Sequence, residues 1–223
     1  MAQLYLVRHG QASFGAADYD KLSDIGHQQS KLLGQYFAQR DIVFDSVVTG
    51  DMRRHKETAA GIQSGSEKKI PVITDGGWNE FDFNAVVSSY LAAYPEARPA
   101  SDAPRAEFYR LLRSAMLAWS KSEIGQELSE SWEGFTSRVA GAVERICASD
   151  SKNVLVASSG GAIAITMMNM LDLSVEKTVN FNLQIKNTSI NHFFFNRDGI
   201  QLSSFNNVGH LDLPQHKSLI TYS

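Results

Sequence analysis

The sequence predicts an α/β fold, namely a three-layer α/β/α sandwich with a mostly parallel central sheet and a helical lid insertion. Two observations support this prediction. Short apolar segments alternate with amphipathic segments of helical period through the first half of the chain, and this alternation is typical of a parallel sheet that helices cover on both faces. The chain has 223 residues, of which 43% are hydrophobic. This is enough for a single domain over residues 1–223 with a substantial core.

The first half of the chain contains three predicted strands and two predicted helices. After the first strand, a polar loop with Gly15, Asp18 and Asp20 leads to Ser23, which stands where the N-cap of a helix is expected. The apolar residues that follow recur with helical spacing. The sequence therefore predicts strands at residues 3–8, 44–48 and 70–73, and helices at residues 23–40 and 51–62.

The second half of the chain begins with a segment of different character. Residues 82–125 contain a short helical pattern, three prolines and then a strong amphipathic pattern. Segments that cover one edge of a domain often form lids over active sites, and we predict this role for residues 82–125. The remaining elements are predicted as a helix at residues 132–146, a strand at 154–157, a helix ending near 171 and a hairpin within 183–205 that turns at 196–199.

The composition of the chain and the distribution of its charged and apolar residues limit which partners and which cellular compartment are expected. The net charge is −3 and no basic stripe is present, which argues against a nucleic-acid partner. No signal peptide is apparent, and the longest apolar stretch, at residues 162–171, is too short to span a membrane. A single cysteine, Cys147, fits a reducing compartment. We therefore expect a cytoplasmic protein that has no membrane partner and needs neither a metal nor a cofactor. Whether the chain forms a homodimer through the hairpin is left undecided by the sequence.

Charged and polar residues follow the predicted strands. Arg8-His9-Gly10 comes directly after the first strand, Arg54 lies in the first turns of the helix after the second, and 158–161 follows the strand at 154–157. The carboxyl ends of the strands in such a sheet are where ligands bind. The Arg8 guanidinium fits phosphate or carboxylate, and His9 can act as a nucleophile or exchange a proton. The helix starts favour anions, and Gly10 is expected to let the chain turn and a ligand approach closely.

A carboxyl group is also expected at this edge. Glu80 stands between large apolar residues, Trp78 before it and Phe81 after it. Partial desolvation by such neighbours raises the pKa of a carboxyl group, so that it can donate a proton near neutrality. Asp82 is a weaker candidate for the same role.

Taken together and in order, these segments resemble the histidine phosphatase superfamily, also called phosphoglycerate mutase-like, over nearly the whole chain. The resemblance implies a metal-independent phosphatase that hydrolyses phosphomonoesters of small metabolites and forms a phosphohistidine at His9. Glu80 would protonate the leaving oxygen and then activate water. The resemblance also implies a set of residues that bind the phosphoryl group, namely Arg8, Gly10, Arg54, Ser159 and Gly160.

The sequence departs from the family pattern at Ser159. The family motif is Ser-His-Gly-Gly, and this chain has Ser158-Ser159-Gly160-Gly161. A serine hydroxyl is a neutral donor, and the loss of one preorganised donor typically costs about 10²–10³ in rate. We therefore expect weakened activity unless His55 or His210 reaches the pocket and compensates.

Two alternative functions follow from the same residues. One is phosphoryl transfer of the phosphoglycerate mutase type, for which a carboxylate-binding group is available among four arginines in the 82–125 segment, namely Arg98, Arg105, Arg110 and Arg113. The other is a degenerate member with low activity that binds a phosphorylated ligand or partner, an alternative that rests on Ser159.

Overall fold

The central sheet has six strands and is mostly parallel, as predicted. The computed structural model of the protein describes residues 1–13 and 20–222, apart from the side chain of residue 105, so the loop positions Gly15 and Asp18 lie outside the described residues. The strands are β1 (Ala2–Arg8), β2 (Ser46–Thr49), β3 (Val72–Thr74), β4 (Asn153–Ser158), β5 (Ile190–Asn196) and β6 (Gly199–Asn207). They lie in the order β3-β2-β4-β1-β5-β6. Strands β1 to β4 are parallel, β5 pairs antiparallel with β1, and β6 pairs antiparallel with β5.

The helices follow the predicted order with one addition. Ser23 caps the first helix by accepting a hydrogen bond from the Gly26 amide at 3.1 Å. A short helix after residue 174 was not predicted, and with its exit turn it occupies the chain up to residue 189, so the hairpin strand begins at Ile190 and not near 183. The helices are α1 (Asp24–Ala38), α2 (Arg53–Ser66), α3 (Phe83–Ala93), α4 (Arg105–Ser120), α5 (Trp132–Ala148), α6 (Gly160–Leu171) and α7 (Val175–Asn182).

The side chains of each strand point alternately to the two faces of the sheet, and each face is covered by its own layer of helices. Leu4 and Leu6 of β1 face a core shared with α4, α5 and α6, whereas Tyr5 and Val7 face a second core shared with α1 and α2. Successive side chains of a strand point to opposite faces of its sheet. A strand such as β1 is therefore covered by a core on each face of the sheet. This is why it forms a continuous apolar run in the sequence.

The 82–125 segment shares the main core of the domain. Its helices α3 and α4 pack against each other, and Met116 and Trp119 of α4 are buried in the same cluster as Leu4 and Leu6. The Trp119 ring lies 5.1 Å from the ring of Phe81, measured between centroids. The packing therefore joins α4 to the chain around Glu80. Along the described residues, no helix combines the length and apolarity that crossing a membrane requires.

Candidate active site

The ends of β1, β2 and β4 meet at one edge of the sheet, as the sequence predicts. Arg8, the last residue of β1, is paired with Ser158, the last residue of β4, and Thr49 at the end of β2 is paired with Ala157. The chain segments that leave these strands therefore start side by side. Each of them carries a polar residue into the same region.

His9 is a buried, neutral imidazole whose Nε2 atom faces a guanidinium group. Its side chain is 5% exposed. Nδ1 lies 2.7 Å from the Gly10 carbonyl oxygen, which can only accept, so Nδ1 carries the proton. Nε2 then accepts from Arg54 Nε at 3.2 Å. Burial, followed by the charges of Arg54 and Arg8, holds the pKa of His9 well below its usual value. Nε2 is therefore unprotonated at neutral pH, which is the state in which an imidazole can act as a nucleophile.

The backbone around His9 is held by side chains of other elements. The Gly10 amide donates to Thr58 Oγ1 at 3.0 Å, and Asn187 Nδ2 donates to the His9 carbonyl at 3.1 Å. A Cβ on Gly10 would lie 2.6 Å from the Gly26 carbonyl oxygen in α1. Glycine is therefore needed here because α1 packs directly on this backbone, and the predicted close approach of a ligand at Gly10 stays a prediction.

Of the two neighbouring arginines in α2, Arg54 points into the site. It is 6% exposed, and its Nη1 lies 2.6 Å from Asp20 Oδ1. Arg53 points outward and pairs with Glu57 one turn further along the helix. Asp20, which the sequence offered only as a loop residue, thus fixes the guanidinium that contacts His9.

Arg8 is held by carbonyl groups from two distant segments. Its Nη1 donates to the Ile185 carbonyl and, at 2.7 Å, to the Tyr222 carbonyl. Residues 219–222 are themselves anchored, since the Thr221 carbonyl accepts from the Asn187 amide at 2.9 Å. The Gln29 amide group donates to the Leu219 carbonyl and to Thr221 Oγ1. The segment 219–222 therefore orients Arg8, although Arg8 and Tyr222 are 214 positions apart in the sequence.

The Glu80 carboxyl group is hydrogen-bonded to the start of α6. Its Oε2 accepts from the Gly161 amide at 3.0 Å, and its Oε1 accepts from the Phe81 amide at 3.3 Å. Burial raises the pKa of Glu80, against the lowering effects of the Gly161 hydrogen bond and of the charges of Arg54 and Arg8. The direction agrees with the sequence-based prediction. Asp82, the weaker candidate, is instead the N-cap of α3 and accepts from the Ala85 amide at 3.0 Å.

Arg138 of α5 is a positioning residue that sequence reasoning missed. Its Nη1 donates to the carbonyls of Gly76, Gly77 and Asn79 at 3.0, 3.1 and 3.0 Å, and its Nε and Nη2 form a fork on Glu130. It thereby fixes the turn that precedes Glu80. In the sequence, an arginine on an amphipathic helix reads as a solvated residue, and no local signal links it to a turn about sixty positions away.

Ser159 and His55 form a buried pair beside His9. Ser159 is the N-cap of α6, and its Oγ lies 2.6 Å from His55 Nε2. The rings of His9 and His55 are 5.7 Å apart between centroids. Burial, with a contribution from Arg54, holds the pKa of His55 well below its usual value. The structure therefore brings His55 to Ser159.

His210 does not join this group. It is hydrogen-bonded to Thr188 Oγ1 at 2.9 Å and packs against Tyr36. Burial and then the charge of His216 lower the pKa of His210 to about 3. It is a buried imidazole that bonds to Thr188, and the Thr188 amide in turn donates to the Arg8 carbonyl at 3.0 Å.

The two glycines that open α6 are crowded by the side chains of Asn182, Arg8 and Glu80. A Cβ on Gly160 would lie 2.6 Å from Asn182 Oδ1 and 3.7 Å from Arg8 Nε, and one on Gly161 would lie 2.1 Å from Glu80 Oε1. Both positions therefore need glycine for space. Within residues 1–13 and 20–222, no group of three or more histidine, cysteine or acidic side chains is arranged to hold a metal ion. Positive charge at this edge comes from Arg8 and Arg54.

Replacing Gly161 with alanine is expected to displace Glu80 and, in the phosphatase reaction that the family resemblance implies, to lower the rate on alkyl phosphates by about 10²-fold, the cost of misplacing a reacting group by about an ångström. Alanine is the better helix former by about 1 kcal/mol, so the loss would not come from the helix. Steady-state rates check this, with Gly134→Ala as the control. At Gly134 a Cβ would make ordinary contacts only, at 3.4 Å to Ser131 Oγ and 3.5 Å to Glu130 Cγ. Equal rates for both variants would contradict a role for the Glu80 position.

The chain is similar to known phosphatases and to a mutase. Residues 4–208 match the family model of the Histidine phosphatase superfamily (branch 1). A broad-specificity phosphatase of Saccharomyces cerevisiae is 24% identical over 176 residues, which are 74% of this chain and 68% of the yeast protein. Two solved structures share the fold. One is a phosphoserine phosphatase mutant from Entamoeba histolytica in complex with phosphoserine, at a TM-score of 0.65 and 21% identity over 95% of this chain and 100% of that chain. The other is phosphoglycerate mutase from Bacillus anthracis str. Sterne, at a TM-score of 0.64 and 21% identity over 94% of each chain.

Proposed function

Because the chain belongs to the histidine phosphatase superfamily, we propose that it hydrolyses phosphomonoesters of small metabolites through a phosphohistidine at His9. The observation that carries this proposal is the state of His9. Its Nδ1 proton is held by the Gly10 carbonyl, and its Nε2 lone pair points to Arg54. A neutral nucleophile directed at an anion-binding group is what attack on a phosphoryl group requires.

The reaction has two steps. His9 Nε2 attacks phosphorus, the bond from phosphorus to the ester oxygen breaks, and Glu80 gives its proton to the departing oxygen. Water then attacks the phosphohistidine, Glu80 takes a proton from it, and the phosphorus–nitrogen bond breaks to release phosphate. Arg8, Arg54 and the amide of Gly160 bind the phosphoryl oxygens and stabilise the charge that develops on them.

Hydrolysis is favoured over mutase-type transfer by the state of two lid arginines. Arg113 donates to Asn180 Oδ1 at 3.0 Å and pairs with Glu176, and Arg110 is exposed beside Glu107. Both guanidinium groups lie beside acidic side chains of the protein itself, which disfavours them as binders of a phosphoglycerate carboxylate. Arg98 is exposed, and the side chain of Arg105 lies outside the described residues. The yeast relative, named a broad-specificity phosphatase, supports hydrolysis of small phosphomonoesters.

The proposal is tested by phosphate release from p-nitrophenyl phosphate in EDTA, together with isolation of the phosphorylated protein. Phosphohistidine survives alkali and is cleaved by acid, so a quench in alkali followed by peptide mapping locates it. We expect turnover in EDTA and phosphate on the peptide that contains His9. Turnover abolished by EDTA, or a phosphoryl group that survives acid, would overturn the mechanism. A requirement for a bisphosphate primer would indicate a mutase.

A further inference from the structure

The reaction described above leaves a buried polar pair unused. His55 in α2 and Ser159 before α6 are both fully buried, and Nε2 of the first lies 2.6 Å from Oγ of the second. The pair adjoins His9, whose ring is 5.7 Å from that of His55. Within the described residues, this imidazole and this hydroxyl bond only to each other. Their position directly beside the proposed nucleophile suggests that the pair has a function.

The surroundings of His55 fix which nitrogen carries its proton. Nδ1 has no hydrogen-bond partner within the described residues and faces Gly50 so closely that a Cβ there would lie 2.4 Å away. A buried N–H without an acceptor is rarer in proteins than an acceptor without a donor. The proton therefore belongs on Nε2, which donates to Ser159 Oγ.

This bond determines what Ser159 can do. A serine at an N-cap normally accepts from an amide of the first helical turn, but the Ser159 hydroxyl makes no such bond. A hydroxyl has one donor proton and two acceptor sites. With His55 on an acceptor site, the proton of Ser159 stays available at the start of α6. The neighbouring Gly160 lies beside Arg8, since its Cβ would be 3.7 Å from Arg8 Nε.

We propose that His55 is a positioning residue of the phosphoryl site that acts through Ser159. His55 holds the Ser159 hydroxyl off the helix cap and directs its proton toward the anion, so that a neutral imidazole–hydroxyl pair adds a donor to the two guanidinium groups. The inference rests on the proposed function for its rate effects, but its effect on anion binding is independent of turnover.

Variants of the full chain separate this role from simple packing. Replacing His55 with leucine removes the donor, whereas glutamine can present an amide N–H near the position of Nε2. We expect His55→Leu and Ser159→Ala to lower kcat on p-nitrophenyl phosphate by about 10- to 100-fold, the usual cost of losing a group that orients a functional ligand. His55→Gln should recover most of the rate. His192→Leu, which removes a partly buried imidazole whose hydrogen bond to Gln3 lies away from the site, is the control and should leave kcat unchanged in folded protein.

A reciprocal exchange gives a second test. Ser159→His alone should lower activity, because the His55 ring already lies against that position, whereas His55→Ala combined with Ser159→His should be more active than either single variant. Additive losses in the double variant, or wild-type kcat in His55→Leu, would overturn the inference.

Binding of orthovanadate keeps the two proposals distinguishable. We expect its affinity to fall about tenfold or more in His55→Leu and to recover in His55→Gln. If the wild type binds vanadate but does not turn over, the proposed function fails, while the vanadate series still decides the role of His55. Absence of vanadate binding by the wild type, or equal affinity in His55→Leu, contradicts that role.

Discussion

A His9→Ala variant is expected to lose phosphatase activity by about 10⁴- to 10⁶-fold, in the range found when a nucleophile is removed from an enzyme that forms a covalent intermediate. The neighbouring guanidinium groups would still bind the phosphoryl group, so substrate affinity should fall far less than kcat. His9 is the residue whose neutral Nε2 faces the Arg54 guanidinium. The remaining rate is therefore that of water attacking a bound ester.

Initial rates on p-nitrophenyl phosphate, with thermal unfolding as a check of the fold, measure this effect. His192→Ala is the matched control, because His192 is a half-buried histidine that bonds to Gln3 and stacks on Tyr5. The control should keep the wild-type rate. A His9→Ala protein that is folded and still within tenfold of wild type would show that the nucleophile lies elsewhere.

The Glu80→Gln variant is expected to show the second largest loss, about 10²- to 10⁴-fold for alkyl phosphates, which is the usual contribution of a general acid. The amide oxygen of glutamine can still accept from Gly161, so the geometry of α6 is kept. The loss should be much smaller for p-nitrophenyl phosphate, because nitrophenolate departs without a proton. Similar losses for both esters would contradict the acid role of Glu80 and indicate a structural one.

The pH dependence gives the same test in another form. Burial raises the pKa of Glu80, so its proton-donating form persists to higher pH than that of an ordinary glutamate. Since the first step uses this form, kcat/KM for alkyl phosphates should be highest below the pKa of Glu80 and fall as the pH rises through it. The glutamine variant should lack this limb. A profile from mildly acidic to mildly alkaline pH measures it, and an unchanged limb in Glu80→Gln would assign the titration to another group.

Much of the fold could be predicted because its signals are local. The apolar runs of β1 and β4 mark strands buried on both faces, and Ser23 marks the start of α1. The ends of three parallel strands then placed His9 and Arg54 together without any knowledge of long-range contacts. The raised pKa of Glu80 followed from its apolar neighbours in the sequence. The catalytic and binding roles of these residues stay predictions until the variants are measured.

The features that sequence reasoning missed depend on contacts between distant segments. Arg138 has no local signal that it binds three carbonyls of the turn before Glu80. The bond between His55 and Ser159 joins residues 104 positions apart. The short helix α7 has a capping serine, Ser174, but its eight residues are too few for a clear apolar period. Such pairings become visible only when the elements are packed.

The bond between Arg8 and Tyr222 also has a consequence for the order of events during synthesis. The two residues are 214 positions apart, so the guanidinium next to the nucleophile gains this partner only after Tyr222 has left the ribosome. A nascent chain can pair β1 with β4 and still lack the segment that anchors Arg8. Maturation of the site is thereby coupled to the emergence of residues 219–222, and a ribosome-bound intermediate that lacks them would be folded before it is competent.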